Sequence, residues 1–285
     1  MAANPYRIET PALVSFSGGK SSGYMLRHVL DAYDGKLPDD VHVVFCNTGK
    51  EMPQTLEYVA ELAEWWAVKI VWLEYDPEVP HKTKQVGFTT AKRDGTPFEQ
   101  LIRNKNFLPN PVTRHCTSEL KVKRMISWMR DTCGYEEWVN AIGLRADEPF
   151  RVASQKARNA SGKERFETVM PMADAGVRKK DVVAFWGSQD FNLRLPSFNG
   201  TTPAGNCDLC FMKSAYVIQE LIRERPDLAS WWIEMESLID KPKSEDAAIF
   251  RIDRPIYSRM LKAVEDQDLF DFPEMEEVMP CLCHD

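Results

Sequence analysis

No stretch of this 285-residue chain is apolar for the ~20 residues that a membrane-crossing helix needs. The opening, MAANPYRIETPA, lacks the charged-then-apolar build of a secretory signal. The expected address is the cytoplasm, with no membrane partner and with thiols kept reduced. Positive charge is in deficit: 36 Lys and Arg stand against 43 Asp and Glu, for a net charge of −7. That argues against a uniformly basic nucleic-acid surface, though not against a local patch. Seven cysteines, an odd number, make a poor disulfide framework, so metal or redox chemistry gains weight. There is no internal repeat. What is present is an ordinary globular composition, 44% hydrophobic and 28% charged, in a chain long enough to bury a core without covalent staples.

Apolar runs at ALVSF (12–16), VHVVFC (41–46), KIVWLE (69–74), EEWVNAIG (136–143) and ETVMPM (167–172) read as strands. Helical patterns lie between them, one from Ser21 to Tyr33 and one with Leu56, Val59, Ala60, Ala63 and Trp66 on a single face. This alternation predicts an α/β fold with an open, mostly parallel sheet covered on both faces. Residues 76–135 form a proline-marked excursion ending in an amphipathic helix, TSELKVKRMISWMRDT (117–132). The polar, basic stretch RVASQKARNASGKERF (151–166) reads as a mobile loop. From Lys213 the chain turns helical, with a break at Pro226 and a last helix near 256–266. The expected organisation is an α/β domain over 1–212 and a helical region with a cysteine-bearing tail over 213–285. Helical spacing lets one tryptophan of Trp65-Trp66, and one of Trp231-Trp232, face the core. Cys46, Cys133 and His28 read as packing residues rather than ligands.

Between the first strand and the first helix stands Ser17-Gly18-Gly19-Lys20-Ser21-Ser22. Glycines there let backbone N–H groups approach an anion, and the helix start adds its own free N–H groups. Lys20 contributes a point charge, and Ser17, Ser21 and Ser22 contribute hydroxyl donors. The spacing is neither that of a Walker A loop nor the G-x-G-x-x-G of a dinucleotide fold. Arg145, just past the fourth strand, suits bidentate contact with phosphate. Asp147 and Glu148 are candidates to hold Mg²⁺ or a ribose hydroxyl, and equally could be an idle acidic pair.

SFSGGKSS resembles the PP-loop, S-G-G-x-[DS]-S, of the ATP pyrophosphatase superfamily. Three further segments resemble one branch, the phosphoadenosine-phosphosulfate reductase-like family. NTGKEMPQTLEYV (47–59) is similar to its D-T-G-x-x-x-P-E-T motif, with Asn47 and Gln54 replacing acids. RHCTSELKVK (114–123) is similar to its C-C-x-x-x-K segment, with His115 in place of a first cysteine, and GLRADE (143–148) to its G-x-R-x-x-[ES] motif. The resemblance spans roughly residues 12–215 and implies an adenine nucleotide alpha hydrolase-like fold. It implies ATP with Mg²⁺ as ligand, cleaved between the α- and β-phosphates to leave pyrophosphate and an adenylylated substrate. Lys20, Ser22 and Arg145 are then the catalytic candidates, and Ser15, Ser17, Gly18, Gly19, Ser21, Asn47, Thr48, Gly49 and Gly143 join them in holding the nucleotide.

Cys207-Asp-Leu-Cys210 lies in a Gly- and Pro-marked loop, Cys116 lies upstream, and the tail adds Cys281-Leu-Cys283-His284. A lone C-x-x-C fits a redox pair, half a metal site, or chance. The resemblance implies a [4Fe–4S] cluster held by Cys116, Cys207 and Cys210, with Cys283, Cys281, His115 or an open iron in the fourth position. Zinc on the same thiolates is the alternative, since spacing fits either metal. The leading expectation is an enzyme that adenylylates a nucleobase, nucleotide or carboxylate oxygen for sulfur transfer. A phosphosulfate reductase using the CLCHD tail is the second, and a non-catalytic nucleotide-binding subunit the third. The reductases as a group have lost Gly-Gly-Lys, which this chain keeps. The resemblance leaves open a nucleic-acid substrate, a partner protein and homo-oligomerisation. Any phosphate backbone would meet loop 151–166, Lys121, Lys123 and Arg124.

Overall fold

The computed structural model describes residues 4–239 and 245–266. Strand β1 (Ala12–Ser15) feeds helix α1 (Lys20–Ala32), β2 (Val41–Cys46) feeds α2 (Pro53–Trp65), and β3 (Ile70–Tyr75) follows. Next come β4 (Thr83–Val86), α3 (Thr96–Lys105) and a helical run over 115–132, here α4. In α4 a short α-segment, Lys123–Ser127, lies between two π-helical ones, Ser118–Val122 and Trp128–Thr132. After β5 (Trp138–Ala141) the chain forms α5 (Pro149–Ala160), β6 (Phe166–Val169) and α6 (Lys179–Gly187). Helices α7 (Ala215–Glu224), α8 (Ala229–Ser237) and α9 (Tyr257–Glu265) complete it.

The sheet order is β4-β3-β2-β1-β5-β6. Every pairing is parallel except β3–β4. From β1 the chain runs outward one way through β2 and β3, then returns to the other side of β1 through β5 and β6. The β1/β5 boundary is thus the switch point, where open α/β sheets leave a crevice at their carboxyl ends. Alternate strand residues serve opposite faces. Ala12, Val14, Val43 and Phe45 pack with α1 and α2, while Leu13, Val44, Val71 and Leu73 pack with Met125, Trp128 and Met129 of α4. No described helix is long and apolar enough to cross a membrane.

The five expected strands are present, and the structure corrects four details. Antiparallel β4 was not expected; its residues are exposed or half-buried. The fifth strand ends at Val169, because Pro171 opens a one-turn helix, Pro171–Asp174. Of the loop expected over 151–166, residues 151–160 are instead helical, within α5: Pro149 pre-sets the first turn and Arg151 pairs with Glu148. No residue of α5 is fully buried, so it lacked an apolar face to read. Trp231 and Trp232 are both buried, at 9% and 0% exposure, rather than one of them. Helix α8 is wedged, with Trp231 against Gly95 and Phe98 while Trp232 stacks on Tyr257. Trp65 and Trp66 behave as expected, with Trp66 buried and Trp65 exposed.

Candidate nucleotide and thiol site

The loop after β1 is fastened by its own hydroxyls. Buried Ser22 accepts from Ser17 N at 3.2 Å, lies 2.9 Å from Ser17 Oγ and donates to Gly19 O at 3.0 Å. Gly18 has φ +78°, and a Cβ there would sit 2.9 Å from Thr55 Cγ2. Only glycine makes this turn at this distance. Beside it lies a cavity of about 190 Å³ walled by Gly18, Gly19, Lys20, Ser21, Thr55 and Arg145 on one side of the chain order, and by Lys179, Leu193, Gly200, Thr201, Thr202, Gly205 and Asn206 later on. Arg145 donates to Ser21 Oγ at 2.9 Å, so loop and arginine meet across the β1/β5 switch point. Asp147 holds Arg145 Nε at 3.0 Å, and Glu148 accepts from the Arg145 backbone N at 3.0 Å. The acidic pair therefore orients the arginine. Burial pulls the Lys20 ammonium below its ordinary value.

A small apolar slot is lined by Ser15, Phe16, Ser17, Val44, Cys46, Thr117, Lys121, Val122 and Met125. Ser15 Oγ donates to Asn140 Oδ1 at 2.9 Å, tying β1 to β5. Cys46 is a packing thiol, pushed up to about 12 by burial. Asn47 and Gly49 line neither space. Asn47 donates to Glu74 Oε1 at 2.6 Å and to Lys92 O at 2.8 Å. An acid at that position would face the Glu74 carboxylate, whose pKa burial already raises. Gly49, at φ +78°, lets Gly95 N reach its carbonyl at 2.9 Å. Gly143 is buried two residues before Arg145.

Cys116, Cys207 and Cys210 line one further cavity, together with Thr48, Arg114, Lys121 and Asn206. Thr48 Oγ1 is 3.5 Å from Cys207 Sγ. Asn206 belongs also to the cavity beside the loop, and Thr117 and Lys121 belong also to the apolar slot, so the thiol cavity shares a wall with each. The C-x-x-C segment is anchored by a buried ion pair, Lys50 Nζ to Asp208 Oδ2 at 2.9 Å, and by Trp232 Nε1 donating to Asp208 Oδ1 at 2.8 Å. The donor type suits a thiophilic metal or cluster. However, no group of three metal-ligating side chains converges closely enough to hold an ion among the described residues. His115 turns away: its ring packs on Phe107, both nitrogens are buried without partners, and burial lowers its pKa to about 4. Cys281, Cys283 and His284 lie outside the described residues.

Two expected basic contacts are otherwise engaged. Arg124 is 3% exposed and donates to the carbonyls of Glu119, His81 and Lys82, while Lys123 pairs with Glu119. Sequence reasoning did not find Thr55, Lys179, Thr201, Thr202 and Asn206. The signal available was FNGT (198–201), whose Asn-Gly is the preferred pair for a tight hairpin turn.

A mostly parallel α/β sheet with a glycine-lined, cationic cavity at its switch point is of the doubly wound class, whose ligands bind in that crevice. More particularly, the chain belongs to the phosphoadenosine phosphosulfate reductase domain family, whose model matches residues 11–193, more than half of its length. Membership implies an adenine nucleotide as ligand. Among curated relatives, the chain is 29% identical over 214 residues to the uncharacterized nin region protein ORF290 of Escherichia phage lambda, covering 72% of this chain and 67% of that one. It is 28% identical over 151 residues to an uncharacterized protein of Methanocaldococcus jannaschii, covering 53% of this chain but 26% of that protein. Among solved structures it is similar to the U34-tRNA thiolase NcsA of Methanococcus maripaludis with its [4Fe–4S] cluster. That similarity has a TM-score of 0.41 and 12% identity, over 92% of this chain and 72% of the other.

Proposed function

We propose that this protein is an ATP pyrophosphatase that transfers AMP to an acceptor oxygen, activating it for displacement by sulfur. The observation that carries this reading is the glycine-walled cavity in which Lys20, Arg145 and Lys179 meet, joined through Asn206 to a cavity bearing three thiols. The polyphosphate of ATP lies in the cationic cavity. The acceptor oxygen attacks the α-phosphorus, the bond to the β-phosphate breaks, and pyrophosphate departs with its Mg²⁺. Lys20 and Arg145 stabilise the charge that grows on the leaving group, and the loop N–H groups fix its position. Ser22 positions the loop, since its hydroxyl is spent within it. Cys116, Cys207 and Cys210 would hold a [4Fe–4S] cluster, with zinc as the alternative, and such a cluster supplies a site to carry sulfur.

Binding of ATP–Mg²⁺ and of phosphoadenosine phosphosulfate to anaerobically purified protein tests the reading. Tighter ATP binding is expected. In Lys20→Ala it should weaken by about tenfold or more, as loss of one charge-assisted contact implies, with pyrophosphate release abolished. Retained release would sink it. Tighter phosphosulfate binding would favour a reductase, the second reading, which the matched family model supports. Iron and visible absorbance are expected in the same preparation and should be lost in Cys207→Ser. Unchanged metal content would remove Cys207 from the ligand set.

A further inference from the structure

Residues 198–201 form a two-residue hairpin above the phosphate cavity. Phe198 and Thr201 exchange backbone hydrogen bonds at 2.8 and 2.9 Å. Between them Asn199 and Gly200 both have positive φ, 49° and 70°, the geometry in which Asn-Gly is favoured. The hairpin sits directly on the first turns of α6. A Cβ on Gly200 would lie 2.9 Å from Lys179 Cε and 2.7 Å from Val183 Cγ2. Lys179 Nζ donates to Thr201 Oγ1 at 2.7 Å, and Lys20 Nζ donates to Ser197 Oγ at 3.0 Å. Ser197 Oγ in turn lies 2.9 Å from Thr202 Oγ1.

The charge balance of this arrangement is incomplete. Arg145 has Asp147 and Glu148 beside it. Among the described residues neither Lys20 nor Lys179 has a carboxylate on its ammonium; each meets a neutral hydroxyl instead. Two ammonium groups lining one cavity, with no carboxylate on either, favour an anion there. Lys179, Gly200 and Thr201 line the cationic cavity, the space that the reading above gives to the polyphosphate. Arg145 and the loop line the same cavity from the β1/β5 side.

We propose that Lys179, held under the Asn199-Gly200 hairpin, is the residue that binds the terminal phosphate of a nucleoside triphosphate and thereby selects triphosphate over diphosphate. The hydroxyls of Ser197 and Thr201 occupy the two ammonium groups until that phosphate replaces them, and then close over it as donors. This rests on the ATP reading above, and names the residue that would distinguish ATP within it.

The test is equilibrium binding of ATP, ADP and AMP, each with Mg²⁺, to the full chain and two variants. Lys179→Met keeps the stem that packs against Gly200 and removes the charge. The wild-type protein is expected to prefer ATP over ADP. Lys179→Met should lose about 10–100-fold in ATP affinity, with ADP and AMP affinity unchanged, so that the ATP/ADP preference disappears. Lys179→Arg should restore it. Lys20→Ala should weaken ATP and ADP together. A Lys179→Met protein that keeps the wild-type ATP/ADP ratio overturns the assignment and leaves the ATP reading intact. Equal loss for all three nucleotides also overturns it, because a merely structural role would act that way. Absence of Lys20-dependent ATP binding in the wild-type protein overturns both.

Discussion

Glu236 shows how one side chain far from the cationic cavity sets a pH dependence. Its Oε2 accepts from Tyr257 N at 2.9 Å, where α9 begins. Burial raises its pKa to about 7, while the N–H groups of Tyr257 and Phe250 and the charge of Arg254 pull the other way. The folded value lies above that of an unfolded glutamate, so the folded state holds the proton more tightly. The stabilisation is complete below the unfolded pKa, ~4.5, and is lost as pH rises through about 7. Melting temperature should therefore fall over that window by several degrees, about the size expected for a shift of this order in a domain of this length. Glu236→Gln should flatten the slope. A variant with the wild-type slope would place the titration on another group. None of this was legible in the sequence, where Glu236 is one of two acids, with Glu234, set among Trp231, Trp232, Ile233, Met235 and Leu238. Ser17 to Ser22 were legible, because glycine, lysine and hydroxyls crowded between a strand and a helix have few other uses.

At the scale of elements, what could be read depended on burial. Strands β1, β2 and β3 are buried along nearly their whole length, so their apolar runs stand out. Strand β4, Thr-Lys-Gln-Val, is an edge strand with no fully buried residue, and its pairing to β3 comes from the tertiary fold. Helix α5 escaped for the same reason; its local signals are Pro149 and the Glu148–Arg151 pair. The cationic cavity was half legible. Lys20 and Arg145 stand in motifs, whereas Lys179 opens a helix with nothing in its local sequence to mark it. Only the folding of hairpin 198–201 onto α6 brings it to the cavity. The thiols show the converse. The family resemblance placed Cys116, Cys207 and Cys210 together, and the structure puts all three on one cavity wall without closing them on a point.

At the scale of the molecule, the C-terminal helices back the segment that carries Cys207 and Cys210, without lining the thiol cavity themselves. Tyr257 Oη donates to Leu209 O at 2.6 Å, and Arg254 donates to the carbonyls of Lys213 and Phe211 at 2.7 and 2.9 Å. Trp232 covers Asp208, and Phe250 stacks on Phe211. Each of these contacts holds a residue within three positions of Cys207 or Cys210. Ending the chain at 212 would strip the polar partners from buried carbonyls and expose Leu209 and Phe211, which are 0% and 1% accessible. Unpaired buried carbonyls cost about 1–3 kcal/mol each, and large uncovered side chains a similar amount. The segment carrying the two thiols should then detach from Lys50, which pairs with Asp208, and from Glu51, whose backbone bridges to Cys207, even if the sheet survives. Alkylation measures this: in the full, metal-free chain Cys207 and Cys210, each 8% exposed, should react slowly. In the shortened chain they should react as fast as thiols in a peptide. Slow alkylation with cooperative melting after truncation would show that the first 212 residues hold their thiols unaided, and that 213–285 is an appendage rather than part of the site.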